Sequence, residues 1–323
     1  MSTSTEISAP AGREPTADGP DRSTPATRPK PGSRRDRVAY LFLAPWFVGL
    51  LLLTAGPLLG SLYLSFTKFN LLQPPAWTGF GNYLKMFTDD PRYLQSLKVT
   101  FIYVVLTVPL QLGFALAVAV MLNRPLRGMA WYRSIYYIPS LLGGSVAIAV
   151  IWGQLFDDDG VLNSFLAFFG VAGRSWISSP DTALYTLVLL NIWQFGSPMV
   201  IFLAGLKQIP QELYDAASVD GASSWRRFRS VTVPLLTPII FFNVVLQIIQ
   251  AFQAFTPAYV VSGGSGGPSD STLFYTLYLY QQGFTNLNMG YASAMAWVLL
   301  LIIATFTLIN FGLARRWVYY EDR

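Results

Sequence analysis

The chain has 323 residues, 53% of them hydrophobic and only 12% charged, with a formal net charge of +5. That charged share is far below the roughly 25% of ordinary soluble domains, so a single soluble core is excluded and a polytopic membrane protein is expected. There is no cysteine and no histidine; disulfides and thiolate metal sites are ruled out, and the usual general base is missing, so neither an enzyme nor a metal or other cofactor is expected.

Residues 1–32 are rich in Pro, Ser, Thr, Ala and Gly and nearly free of large apolar side chains. They cannot bury enough surface to offset the entropy of ordering and are expected to form a disordered cytoplasmic tail ahead of a membrane domain over 33–323. The first apolar run begins near Val38 and is too long for a secretory signal.

Six apolar runs follow, at about 38–66, 97–122, 131–156, 183–206, 233–261 and 290–313. Each exceeds the roughly 20 residues a helix needs to cross hydrocarbon. Pro57, Pro109, Pro139, Pro198 and Pro257 interrupt five of them, which a membrane helix tolerates where neighbours satisfy the freed carbonyls. The expected fold is therefore an all-α integral membrane bundle of six transmembrane helices.

Charge sets the orientation. With the N-terminus inside, 17 of the 22 Lys and Arg residues fall in cytoplasmic segments, leaving Lys68, Lys85, Arg92, Lys98 and Arg174 outside. Both termini are thus expected in the cytoplasm, with the chain multi-pass in the plasma membrane. The basic residues flank the membrane instead of forming a patch, so nucleic acid is not an expected partner.

The outer segments read differently. Residues 67–96 hold Trp77, Phe80, Tyr83 and Phe87, with room for a short surface helix. Asp157-Asp158-Asp159-Gly160 lacks the ligand spacing of a calcium loop and reads as a solvated cap; Val161–Val171 is too short to span and suits an interfacial helix. Residues 262–271 are Gly- and Ser-rich and read as a flexible outer loop.

The most polar segment between two runs is the loop 207–232, with Glu212, Asp215, Asp220, Arg226, Arg227 and Arg229. Ala216, Ala217 and Val219 form a compact apolar patch on a short helix. Gly221 breaks that helix, and Ser223 or Ser224 can cap a second one leading to Pro234. A helix-turn-helix at the inner membrane surface results, shaped for docking into another protein.

Asp215-Ala216-Ala217, three residues, Gly221, nine residues and Val231-Thr232-Val233-Pro234 resemble the EAA loop of ABC-importer permeases. The spacing matches throughout, with Asp215 in place of the usual Glu. Segments 43–70, 79–87, 122–139, 201–222 and 290–297 are similar to permeases of the carbohydrate-uptake branch. The resemblance implies the type I importer permease fold, coupling to the ATPase through Asp215, Ala216, Ala217, Gly221 and Pro234, and a set of partners. These are a second homologous permease, two ATPase subunits, an extracytoplasmic solute-binding protein and a sugar. The chain has no G-x-x-x-x-G-K-[ST] phosphate loop, so hydrolysis must lie in another chain.

Polar side chains inside the runs are costly in lipid and mark a pathway or a helix contact. Asn243, Gln247 and Gln250 share one face of the fifth run, with Gln253 beside it, and the fourth run adds Asn191, Trp193 and Gln194. Amides can bond sugar hydroxyls and aromatic rings can pack on a pyranose face; interhelical bonding is the competing reading. A secondary transporter or channel for a neutral polar solute is the alternative function, and the near absence of charged residues within the runs argues against it.

Overall fold

The computed structural model describes residues 34–124 and 128–319. The tail expected over 1–32 lies outside the described residues, as does Arg127. The described residues divide at Gly56/Pro57 into two units. The first holds α1 (Arg34–Gly49) and a π-helical stretch, Leu50–Ala55.

From Pro57 onward the second unit starts with α2 (Gly56–Ser65). Next come β1 (Thr67–Lys68) and β2 (Ala76–Trp77), paired antiparallel with Thr67 opposite Trp77, then α3 (Gly81–Thr88). Three helices follow: α4 (Pro91–Leu122), α5 (Met129–Leu142) and α6 (Val146–Leu155). A short helix, α7 (Val161–Phe168), precedes α8 (Ala183–Trp193) and α9 (Gly196–Leu206). The polar loop forms α10 (Gln211–Val219) and α11 (Ser224–Arg227), and α12 (Val233–Phe252) follows. The chain closes with α13 (Thr256–Val261), α14 (Tyr275–Tyr280) and α15 (Met289–Trp317).

Four helical segments are long and apolar enough to cross a membrane: Tyr40–Ser65, Pro91–Leu122, Ser224–Val261 and Met289–Trp317. The pairs α5–α6, bent by 95°, and α8–α9, bent by 41°, bring the total to six. The third and fourth runs are therefore broken helices. At Gly143-Gly144-Ser145 the chain turns because Ser145 leaves the helical conformation and its side chain caps α6 at Ile148 N (3.3 Å). The fifth run breaks at Gln253–Phe255, so Pro257 sits in the first turn of α13, where its missing N–H is no loss.

The second run starts earlier than hydropathy places it. Asp90 caps α4, accepting from Tyr93 N at 3.0 Å, and Pro91 occupies the first turn. Asp90 is only 8% exposed, and its other oxygen accepts from Tyr278 Oη (2.7 Å) and Tyr291 Oη (2.6 Å). Three charge-assisted bonds thus satisfy a carboxylate that would otherwise be costly to bury. Lys85 lies over the Tyr291 ring and Arg92 over the Tyr278 ring, so a cation backs each of the two phenols. Burial, followed by the bond to Asp90, pushes the Tyr278 phenol well above its usual range.

The core centres on α4, which packs against α8, α9, α12 and α14. Its buried face includes Tyr103, Val108, Leu112, Ala115 and Ala119, which meet Phe202, Leu236 and Phe274 in one apolar cluster. The end that carries β1 and β2 is tied down by polar bonds. Asn82 Nδ2 donates to Ser65 O (2.8 Å) and Thr67 O (2.9 Å), and Gly290 N donates to Phe69 O at 3.1 Å. A Cβ on Gly290 would collide with Thr67 O, so only glycine permits this approach.

The connecting segments expected outside are more ordered than their composition implies. The loop 262–271 is fixed by the bidentate Arg92–Asp270 pair (2.7 and 2.9 Å) and by Gln281 Nε2 donating to Gly264 O at 2.7 Å. The Asp157–Asp159 turn is organised by buried Asn163. Its Nδ2 donates to Asp158 O and Arg174 O (2.9 Å each), and its Oδ1 accepts from Trp176 Nε1 at 2.8 Å. α7 leaves Phe165 and Phe168 exposed, as an interfacial helix would.

Asp90→Ala removes a helix cap and strands two buried phenols. Thermal unfolding of the purified chain in detergent is expected to show a loss of about 2–4 kcal/mol, whereas Asp89→Ala, at an exposed neighbour, is expected to change little.

Candidate functional site

The polar loop folds as its residues dictate. α10 ends in a left-handed residue, Gly221 at φ +73°, and Ala222 N donates back to Ala217 O at 2.9 Å. This is the six-to-one closure that glycine favours at a helix end. Of the two serines that could cap α11, the structure uses Ser223, whose Oγ accepts from Arg226 N at 3.3 Å. Arg227 then staples the two helices, its Nη1 donating to Ser218 Oγ at 2.7 Å.

The element is braced against the bundle at its base. Tyr214 Oη and the buried Thr232 Oγ1 lie 3.0 Å apart, joining α10 to the chain that enters α12. Between α11 and α12 the backbone widens into a π-helical stretch, Phe228–Thr232, directly before Pro234. Proline in a helix removes one hydrogen bond and crowds the carbonyl four residues earlier, and a π turn relieves that conflict. From Ser224 to Phe252 the chain therefore stays helical without a gap.

What the element offers outward is small and apolar with acids beside it. Val219 is 89% exposed, Ala216 and Asp215 are exposed and Ala217 is partly covered. Asp215 accepts only from Gln211 Nε2 (3.1 Å) and has no cationic partner among the described residues. The five residues expected to couple are thus brought together at the end of one continuous helix: Asp215, Ala216 and Ala217 on α10, Gly221 in the turn and Pro234 at the root.

The six expected pathway residues separate into three settings. Asn243 and Gln247 are buried within the chain, 1% and 7% exposed, and Asn243 Nδ2 donates to Ile239 O of its own helix. Gln250 and Gln253 are exposed on the surface of the same segment. Trp193 and Gln194 stand at the break between α8 and α9, with the Trp193 ring 6.2 Å from that of Trp152.

At that break Gln194 O is freed from the helix ladder. It accepts from Gln111 Nε2 (3.2 Å) on α4 and Ser140 Oγ (2.8 Å) on α5, and Ser140 Oγ in turn accepts from Ser197 N at 2.9 Å. A Cβ on Gly196 would stand 2.8 Å from Tyr136 O and Ser140 Oγ, and one on Gly143 would strike the Gln194 side chain. Two glycines therefore bring α5 against the break. Sequence reading did not single out Gln111 and Ser140, which hold this break; a lone amide in an apolar helix was the available signal for Gln111. Gln111 Oε1, Thr107 Oγ1 and Asn191 Oδ1 are buried without a protein partner.

The family described as "Binding-protein-dependent transport system inner membrane component" matches residues 90–319, well over half of the chain. The "Probable ABC transporter permease protein YesP" of Bacillus subtilis is 53% identical over 292 residues, covering 90% of this chain and 94% of its own. The "Lactose transport system permease protein LacF" of Rhizobium radiobacter is 33% identical, covering 85% and 93%. Among solved structures, a chain from a bacterial alginate ABC transporter, bound to a periplasmic protein carrying an alginate pentasaccharide, shares the fold. Its TM-score is 0.75 at 20% identity, covering 87% of this chain and 95% of that one.

Gly196→Val should force α5 away from the break and lower stability in detergent by about 1–3 kcal/mol. Gly113→Val, on α4 with open space around its Cβ position, should be tolerated in the same thermal unfolding assay.

Proposed function

The chain belongs to the family of binding-protein-dependent transport system inner membrane components, and from that premise we propose that it forms half of a sugar pathway whose opening is driven through α10 and α11. It is a multi-pass ABC-importer permease, a transport subunit whose family works with a solute-binding protein and an ATPase. Our reading adds a second, homologous permease across the pathway, two ATPase subunits beneath it and both termini in the cytoplasm. The membrane domain occupies 33–323, the coupling loop 207–232. Relatives named for lactose, arabinooligosaccharides and trehalose/maltose favour a carbohydrate cargo.

The observation that carries this reading is the continuity between wedge and span. Asp215, Ala216 and Ala217 sit on a short helix braced at Thr232, and Thr232 leads through Pro234 into α12 without a break. Small side chains let α10 enter a cleft on the ATPase, Asp215 keeps a carboxylate available for a cation there, and Gly221 makes the turn that holds both helices. Closure of the ATPases then displaces α10 and α12 together, and rocking of the bundle alternates access to the pathway.

Along the pathway we assign cargo contact first to Gln250, with Gln253 next to it. An amide exposed on a span is expensive in lipid, so these two face a partner or a polar passage. Gln247 and Asn243 lie deeper on the same helix and support that face from behind. Trp193 and Gln194 shape the broken span opposite.

Gly221→Asp and Ala217→Asp are each expected to abolish ATP-driven uptake while leaving the protein in the membrane; normal uptake with normal ATPase co-purification would count against the docking role. Gln250→Leu should change the uptake rate or the range of sugars taken, read by competition between labelled and unlabelled sugars. Unchanged kinetics in Gln250→Leu and Gln247→Leu would clear both residues.

A further inference from the structure

The coupling loop also borders a cavity. A pocket of about 410 Å³ opens where the C-terminal end of α4 meets α10 and α11. Its lining mixes Val120, Leu206 and Phe228 with Arg124, Arg227 and Tyr214, and no carboxylate among the described residues borders it. Neither arginine has an ion pair among the described residues. Arg227 uses two of its nitrogens on Ser218 and Ser224, and Arg124 makes no side-chain hydrogen bond among the described residues.

Two arginines that line one cavity, with no counter-charge among the described residues, create a site for an anion. Their planar forks suit the paired oxygens of a phosphate. The location narrows the choice. On the orientation that charge bias gives, the pocket lies at the cytoplasmic boundary of the membrane, where anionic headgroups are concentrated and basic pockets between helices take them up. The apolar side chains suit the glycerol and upper acyl region of a lipid, for which free phosphate has no use.

We propose that this pocket binds the headgroup phosphate of an anionic phospholipid of the inner leaflet, held between Arg124 and Arg227. Arg124 follows α4 and Arg227 belongs to the coupling loop, so one bound lipid ties the moving wedge to the central helix of the core. Coupling then depends on the lipid composition of the inner leaflet.

The test is native mass spectrometry of the full-length chain in detergent, titrated separately with phosphatidylglycerol, phosphatidylcholine and sodium phosphate. Phosphatidylglycerol should bind about tenfold more tightly than phosphatidylcholine, a difference of about 1.4 kcal/mol, and sodium phosphate should compete only weakly. Arg124→Gln should abolish the preference and Arg124→Lys should keep part of it, with unfolding in phosphatidylcholine unchanged in both. Equal binding of the two lipids, or a preference that survives Arg124→Gln, overturns the site. Displacement by sodium phosphate at matched concentration overturns the lipid assignment. So does the absence of a lipid preference together with a crosslink from Arg124→Cys to the ATPase, which would give the pocket to a protein carboxylate.

Discussion

In hydrocarbon a backbone carbonyl without a donor costs several kcal/mol, and the break in the fourth span exists only because that cost is met. Gln194 O, released where α8 ends, is taken up by Gln111 from α4 and Ser140 from α5. One oxygen thereby joins three spans. Gly143 and Gly196 are the steric condition for it, since a side chain at either position would push α5 off the break. The bend that results sets the half-buried Trp193 and Gln194 at the join of α8 and α9. A straight helix would have turned them with the rest of their face.

The two ends of the bundle are built on different physics. At one, a buried carboxylate, Asp90, gathers the start of α4, Tyr278 and Tyr291, and the Arg92–Asp270 pair fastens the glycine-rich loop. At the other, α10 is attached by the Tyr214–Thr232 hydrogen bond and one from the Arg227 guanidinium to Ser218, and it keeps its apolar and acidic surface uncovered. Such a division suits a transporter subunit: one end holds its shape, and the other is light and fixed mainly to the chain that enters α12.

Much of this was legible in the sequence because the signals are local. The turn at Gly221, a serine cap before Arg226 and the proline at the root of α12 follow from conformational rules that operate over a few residues. The six spans follow from length and hydropathy. What could not be read depends on pairs distant in the chain. Asp90 looks like an ordinary loop acid until Tyr278 and Tyr291 arrive 188 and 201 residues later. Gly143 and Ser140 acquire meaning only against Gln194, and the 95° bend at Gly143–Ser145 is invisible to hydropathy because both arms are equally apolar. The amides of α12 show the same limit. Spacing puts Asn243, Gln247 and Gln250 on one face, but only packing separates two buried members from an exposed third.

The central claim is mechanical: the wedge and the span behind it form a single body. The absence of native cysteine allows two spin labels to be placed cleanly, at Glu212→Cys on α10 and Phe242→Cys on α12, both exposed positions. In the assembled, transport-active complex, pulsed electron spin resonance would give their separation with and without ATP. The account predicts one narrow distance distribution that ATP leaves in place. A distribution that shifts or splits when ATP binds would mean that α10 swings independently of α12, and transmission through Thr232 and Pro234 would be contradicted.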